Sequence, residues 1–294
     1  MSRNTRVRPT AAAWAAFILT GSVAAFSGVP QSAADAEPPA ARTSAGGSVD
    51  VGGRASEYVV RARALLLGDL GAVGNAVFER RLETNGTETV RTVRLSGRSK
   101  PEMARKGRDI KGEFTAVTRS QPAADGSAGS CSWVLSNNGV AKRETIAFFP
   151  EHAVSTGDKG GERRVDGRHE NLLSWLEFFV DNPVRRGDVR RSRFILDGHP
   201  YIFKCEVGAP EVLKPFGVEA YRIDLTMYDG LRRDGSGAPR VVRKKGSIRL
   251  WLCKEEKYRN EFLRLRVQYK WYLTLLFELA SPAGREAPVP DNSP

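Results

Sequence analysis

From Leu263 onward, Leu263, Leu265, Val267 and Tyr269 alternate with Arg264, Arg266, Gln268 and Lys270. Successive side chains of a β-strand point to opposite faces, so this segment has one apolar face and one wet face. A chain written this way must bury one side of a sheet and leave the other in water. The same period recurs in Ile248, Leu250 and Leu252 against Arg249, Trp251 and Cys253, and in Tyr221, Ile223, Leu225 and Met227. Further strands are expected over Tyr58–Ala64, Ala76–Leu82, Thr87–Leu95, Phe114–Thr118, Trp133–Leu135 and Ala141–Phe149. Val189–Leu196, Tyr201–Val207, Glu219–Met227 and Trp271–Ala280 complete the series. Asn85-Gly86, Asn137-Asn138-Gly139 and Asp197-Gly198 fall between pairs of these segments. Such residues accept the positive φ that tight hairpins require.

One stretch breaks the period. Leu172, Leu173, Trp175, Leu176, Phe178, Phe179 and Val180 crowd together at spacings of three and four, and Asp181-Asn182-Pro183 stops the run. This predicts a short helix over residues 170–181, apolar over a wide arc, that must bury against something. About ten strands and one helix predict a mainly β fold: a single antiparallel curved sheet forming a barrel or half-barrel around one short buried helix. A flat two-layer sandwich is the alternative.

The first residues read as an address. Arg3, Arg6 and Arg8 precede an apolar run from Ala11 to Phe26, followed by small residues. That pattern is a secretory signal peptide, 1–36, with cleavage after Ala36 and a competing site after Ala34. The run is shorter than the roughly 20 residues that span a bilayer core; an uncleaved anchor is the other reading. No twin Arg and no lipid-accepting Cys follows. Residues 37–55, rich in Pro, Ala, Gly and Ser, read as a linker. Residues 56–280 form the expected domain, and 281–294, with four prolines, a tail. Gly71-Ala72-Val73-Gly74 reads as a hairpin turn, not a phosphate cradle.

No motif carries catalysis. His169-Glu170 opens like a zinc-protease helix, but Leu173 stands where the second ligand belongs. Gly235-Ser236-Gly237 lacks the frame of a serine nucleophile. His152 and His199 read as loop histidines. Cys131, Cys205 and Cys253 lack the two-residue spacing of zinc or redox motifs. Cys205 and Cys253, both in expected strands, either pair in an oxidising compartment and leave Cys131 free in its loop, or are buried thiols. The expectation is therefore no catalytic, cofactor-binding or metal residue, no cofactor, and no enzyme.

The chain carries 46 Lys+Arg against 34 Asp+Glu, a net charge of +12. Removal of residues 1–36 leaves 43 against 33, or +10, so the excess belongs to the mature part. Its clusters, such as Arg163-Arg164 and Arg190-Arg191-Ser192-Arg193, flank turns. They lack the interleaved aromatics or reading helix of nucleic-acid binders. A solvated Arg-rich surface is one reading. A lipid, lipoprotein or anionic envelope polymer, with peripheral membrane contact, is the expected class of partner, and nucleic acid is not.

From Asp166 onward the chain resembles the exported bacterial proteins filed as domain of unknown function 3108. The resemblance lies in His169–Phe179, Pro183–Gly187, Phe194–Tyr201, Gly217–Arg222 and above all Lys244–Leu252, with closing strands at Glu261–Tyr269 and Tyr272–Leu279. It is looser over Tyr58–Gly74. The stretch from Asn260 to Phe262 lacks the proline usual in that family before the penultimate strand. The resemblance implies an envelope protein with a curved antiparallel sheet shaped like lipoprotein carriers, and it carries over no catalytic residue. Three functions follow as expectations: a non-enzymatic exported protein binding an apolar or amphiphilic envelope molecule, a structural envelope protein with a filled barrel, or a hydrolase acting on an envelope polymer.

Overall fold

A computed structural model describes residues 49–105, 109–158, 161–196, 198–214, 216–242, 248–258, 260–270 and 273–281. The expected signal segment and its cleavage point at Ala36 lie outside them. The first strands are β1 (Val49–Ala64), β2 (Gly68–Asn85), β3 (Glu88–Ser99), β4 (Ile110–Arg119), β5 (Gly129–Asn137) and β6 (Val140–Phe148). A five-residue helix α1 (Pro101–Arg105) interrupts them. β7 (His152–Gly157) and β8 (Glu162–Asp166) lead into helix α2 (Leu172–Asp181). Then come β9 (Val189–Leu196), β10 (His199–Leu213), β11 (Val218–Arg233), β12 (Pro239–Val241), β13 (Ile248–Leu252), β14 (Phe262–Lys270) and β15 (Leu273–Ser281).

All of these strands form one antiparallel sheet, ordered β8-β7-β6-β5-β4-β3-β2-β1-β15-β14-β13-β11-β10-β9, with β12 paired beside β11. The curved-sheet expectation stands and the flat sandwich does not. The sheet is not closed by a strand ladder, because β8 and β9 are its two ends. Alternation decides which face is inside: in β14, Leu263, Leu265 and Val267 are buried while Arg266 is exposed. One core runs through the sheet and includes Val60, Val93, Phe114, Ile146, Phe203, Ile223 and Phe277.

Helix α2 fills the concave side. Asn171 caps it, its Oδ1 accepting from Ser174 N–H at 2.7 Å, so the helix begins two residues later than its apolar spacing predicts. Leu172, Leu173, Trp175, Leu176, Phe179 and Val180 are buried. Trp175 meets Phe194 edge-on at 5.5 Å and Phe179 at 5.4 Å. At the other end the Lys254 ammonium donates to the carbonyls of Phe179, Val180 and Asn182 at 2.8, 2.9 and 2.9 Å. A cation there meets the negative end of the helix dipole and satisfies carbonyls the helix leaves open. An apolar space of about 40 Å³ lies beside Leu176, walled by Tyr58, Phe78, Leu95, Leu250, Phe262, Leu265 and Phe277. That is room for about one water in an apolar setting, not for a lipid chain.

The seam between the sheet's two ends is held by side chains. Glu144 on β6, 3% exposed, accepts from Gly198 N–H at the β9–β10 turn at 2.7 Å. It also accepts from Trp133 Nε1 at 2.6 Å and from Ser155 Oγ. The chain linking β8 to α2 adds Glu170 N–H to Arg193 O of β9 at 2.9 Å.

Several expected boundaries move. β1 starts at Val49, inside the stretch read as linker, because strand pairing with Thr84 and Glu83 supplies the order its composition lacks. Gly71–Gly74 is not a turn but part of β2, where Gly71 at φ 83 marks a register irregularity; the turn is Leu65–Leu67. Cys131 lies in β5, buried, rather than in a loop. His152 and His199 open β7 and β10. The Asn138-Gly139 turn has positive φ at both residues, 51° and 83°, as a tight hairpin of the primed type needs. Trp271 lies outside the described residues.

Candidate functional site

The side of α2 that does not face the core borders a cleft of about 530 Å³. Its apolar wall is Val117 of β4, Phe148 of β6, and the Phe149-Pro150 turn that follows. Phe149 stacks on His152 with ring centres 4.6 Å apart. Its basic edge is Arg91 of β3, Arg168 and Arg190 of β9. Phe178 of α2 closes the mouth, with the Arg190 guanidinium 3.8 Å above its ring centre, a cation–π contact.

Glu177 is the unusual member. It is the single charged residue between Leu172 and Val180, and it is 3% exposed. Arg91 Nη1 lies 3.6 Å from its Oε2, beyond hydrogen-bond reach, and that oxygen has no hydrogen-bond partner. Burial pushes its carboxyl up to about 7, with Arg91 opposing and Asp181 reinforcing the rise. Asp181 itself is paired with Arg91. Glu170 is committed too, accepting from Arg190 Nη2 at 3.0 Å and Ser192 Oγ at 2.9 Å. Arg190 Nε, in contrast, is buried without a partner. Ser174 and Asn171 are tied to Thr118 of β4 at 2.6 and 3.4 Å.

His169 is buried at the base of the cleft, with Nδ1 2.6 Å from Gly167 O. The carbonyl can only accept, so Nδ1 carries the proton. Burial holds the imidazole below its ordinary pKa, opposed by the bond to Gly167 O and aided by Arg193. Leu173 is fully buried in the core, and among the described residues no group of His, Cys, Asp and Glu could hold a metal. Ser236 sits in a turn where its N–H and Oγ both donate to Asp234 Oδ1, at 2.9 and 2.6 Å; nothing activates it. Cys131, Cys205 and Cys253 are buried thiols outside any disulfide.

A larger groove, about 780 Å³, crosses β1 to β5 and includes outward residues such as Glu57, Arg98 and Lys111. It contains no buried charge. The α2 cleft combines enclosure, an apolar wall, cations and unpartnered polar atoms, and is the candidate site. Sequence reasoning did not assemble it. The signal available was the lone Glu177 in an otherwise apolar helix.

No family model matches the chain, and no curated protein matches it. Among solved structures, the chain is similar to the beta-barrel-like protein of domain of unknown function DUF1849 from Brucella abortus, with 13% identity and a TM-score of 0.48 over 78% of this chain and 96% of that one.

Proposed function

We propose that this is an exported, non-enzymatic envelope protein that binds an amphiphilic anion in the cleft beside α2. One observation carries the reading. The cleft of about 530 Å³ sets Phe148, Phe149 and Phe178 against Arg91, Arg168 and Arg190, whereas the apolar space beside Leu176 is about 40 Å³. A cleft of that size suits a small ligand, with the apolar part on the phenylalanines and the anionic part on the guanidiniums. The small size of the space beside Leu176 supports the structural half of the sequence-based expectation, and binding then belongs to the α2 cleft. Export rests on the basic, apolar and small-residue order of residues 1–36. Kinship with the family filed as domain of unknown function 3108 rests on the stretches quoted above and belongs to the same proposal.

A hydrolase acting on an envelope polymer is the second reading, favoured by Glu177, whose Oε2 has no hydrogen-bond partner and whose carboxyl is pushed up to about 7. It is the weaker one, because Glu170, Asp181 and Glu177 each face an arginine, which leaves no pair of free carboxylates among them. Native mass spectrometry of the protein purified from the envelope without detergent tests the proposal. A bound amphiphile that is lost in the Phe178→Ala variant supports it. Repeated recovery of the bare chain overturns it in favour of a purely structural role.

A further inference from the structure

The β1–β2 turn is built from three consecutive leucines held in water. Leu65, Leu66 and Leu67 are 66%, 87% and 77% exposed, and Leu70 just beyond is 49% exposed. Folding does not require them. Ala64 pairs with Gly68, and Gly68 takes φ 72°, so polar residues would turn the chain equally well. A run of exposed apolar residues on a loop tip marks a contact surface.

The surroundings of the tip are basic and unbalanced. Arg61 is spent, lying 3.6 Å from Asp69 and 3.5 Å from Glu278. Arg63, next to the tip, and Arg266 of β14 have no carboxylate partner among the described residues. They flank β15 on the same face, Arg63 opposite Thr274 and Arg266 opposite Leu276. Partial desolvation makes Arg266 hold its proton less tightly than an ordinary Arg, and the nearby Arg249 and Arg63 act in the same direction.

We propose that the Leu65–Leu67 tip inserts into the apolar boundary of an anionic lipid bilayer, with Arg63 and Arg266 on the headgroup phosphates. Leucines at the acyl boundary and guanidiniums one layer above match the two zones of a membrane interface. The charge pattern selects this occupant over a second copy of the chain, since two copies meeting at their tips bring Arg63 and Arg266 against like charges. The surface is separate from the α2 cleft. Gly68 and Leu82, which pairs with the cleft residue Arg91, lie toward opposite ends of β2.

The test is cosedimentation of the full chain with vesicles of phosphatidylcholine alone or mixed with phosphatidylglycerol. The native protein is expected to bind the mixed vesicles and to prefer them. Leu65→Ser, Leu66→Ser and Leu67→Ser together should weaken binding by at least roughly tenfold. Arg63→Gln with Arg266→Gln should weaken it by about tenfold or more and remove the preference. An unchanged far-UV spectrum shows that the variants fold. No binding by the native chain, full binding by the triple variant, or equal binding to both vesicles overturns the proposal. So does a dimer that the triple variant abolishes in the absence of any vesicle binding.

Discussion

The Arg190 guanidinium lies 3.8 Å above the centre of the Phe178 ring, and so joins the edge strand β9 to the exposed side of helix α2. Phe178 is 38% exposed, unlike the core-facing Trp175 beside it. Replacing it by Ala is predicted to cost stability by no more than about 1 kcal/mol, the scale of a partly exposed cation–π contact. It should weaken amphiphile binding far more than that. Urea unfolding checks the first half; a loss above about 3 kcal/mol would move Phe178 from the cleft into the core.

Glu177 makes stability depend on pH in an unusual direction. Its folded carboxyl titrates at about 7 against an ordinary 4.5, so between those values the folded state holds a proton that the unfolded chain has released. Stability is therefore fully present below about pH 4.5 and is lost as pH rises through 7. The loss is at most about 3 kcal/mol. Glu177→Gln should remove this slope and be the more stable protein at pH 8. Urea midpoints of both proteins at pH 5 and pH 8 decide it, and a variant that keeps the native slope contradicts the assignment.

The seam offers a sharper lesion. Glu144 gathers Gly198 N–H, Trp133 Nε1 and Ser155 Oγ in a buried setting. Glu144→Ala strands these donors and should cost about 3–5 kcal/mol. Hydrogen exchange at Gly198 N–H should accelerate before exchange in β2 or β3 does. Uniform acceleration throughout the sheet, or a cost under about 1 kcal/mol, argues that the seam is held by something else.

Cys205 and Cys253, which the sequence leaves open as a pair or as thiols, are not joined in a disulfide, and neither is Cys131. Burial pushes the thiols of Cys131 and Cys205 up, away from the reactive thiolate. The native protein should not react with an aromatic disulfide reagent. After denaturation without reductant all three thiols should titrate. A count of one thiol means that a pair is bridged.

The strands were legible where alternation is long. β14 and β11 follow their period of two, and the Asn138-Gly139 turn follows its residue types, whereas Asn85 ends β2 and the turn after it is Gly86-Thr87, with positive φ at Gly86. β7 and β8 were missed because they are short and, in Glu162–Asp166, almost wholly charged. Such a sequence suits an exposed end of a sheet and carries no apolar signature. The cleft was illegible for a different reason. Arg91, Phe149, Glu177 and Arg190 come from four separate elements, and only the curl of the sheet around α2 brings them together. Glu170 illustrates the gap: beside His169 it suggests a metal motif, yet its role is to hold Arg190 and Ser192. The fully buried Leu173 accounts for the missing ligand.

Calorimetric titration of the full chain with dodecyl phosphate, a simple amphiphilic anion, tests the central claim most directly. The native protein should bind at one site; Arg190→Glu should weaken binding at least about tenfold, while Leu176→Ala, which only enlarges the interior, should leave it unchanged. Binding that survives Arg190→Glu but improves with Leu176→Ala places the ligand inside the sheet and contradicts the account.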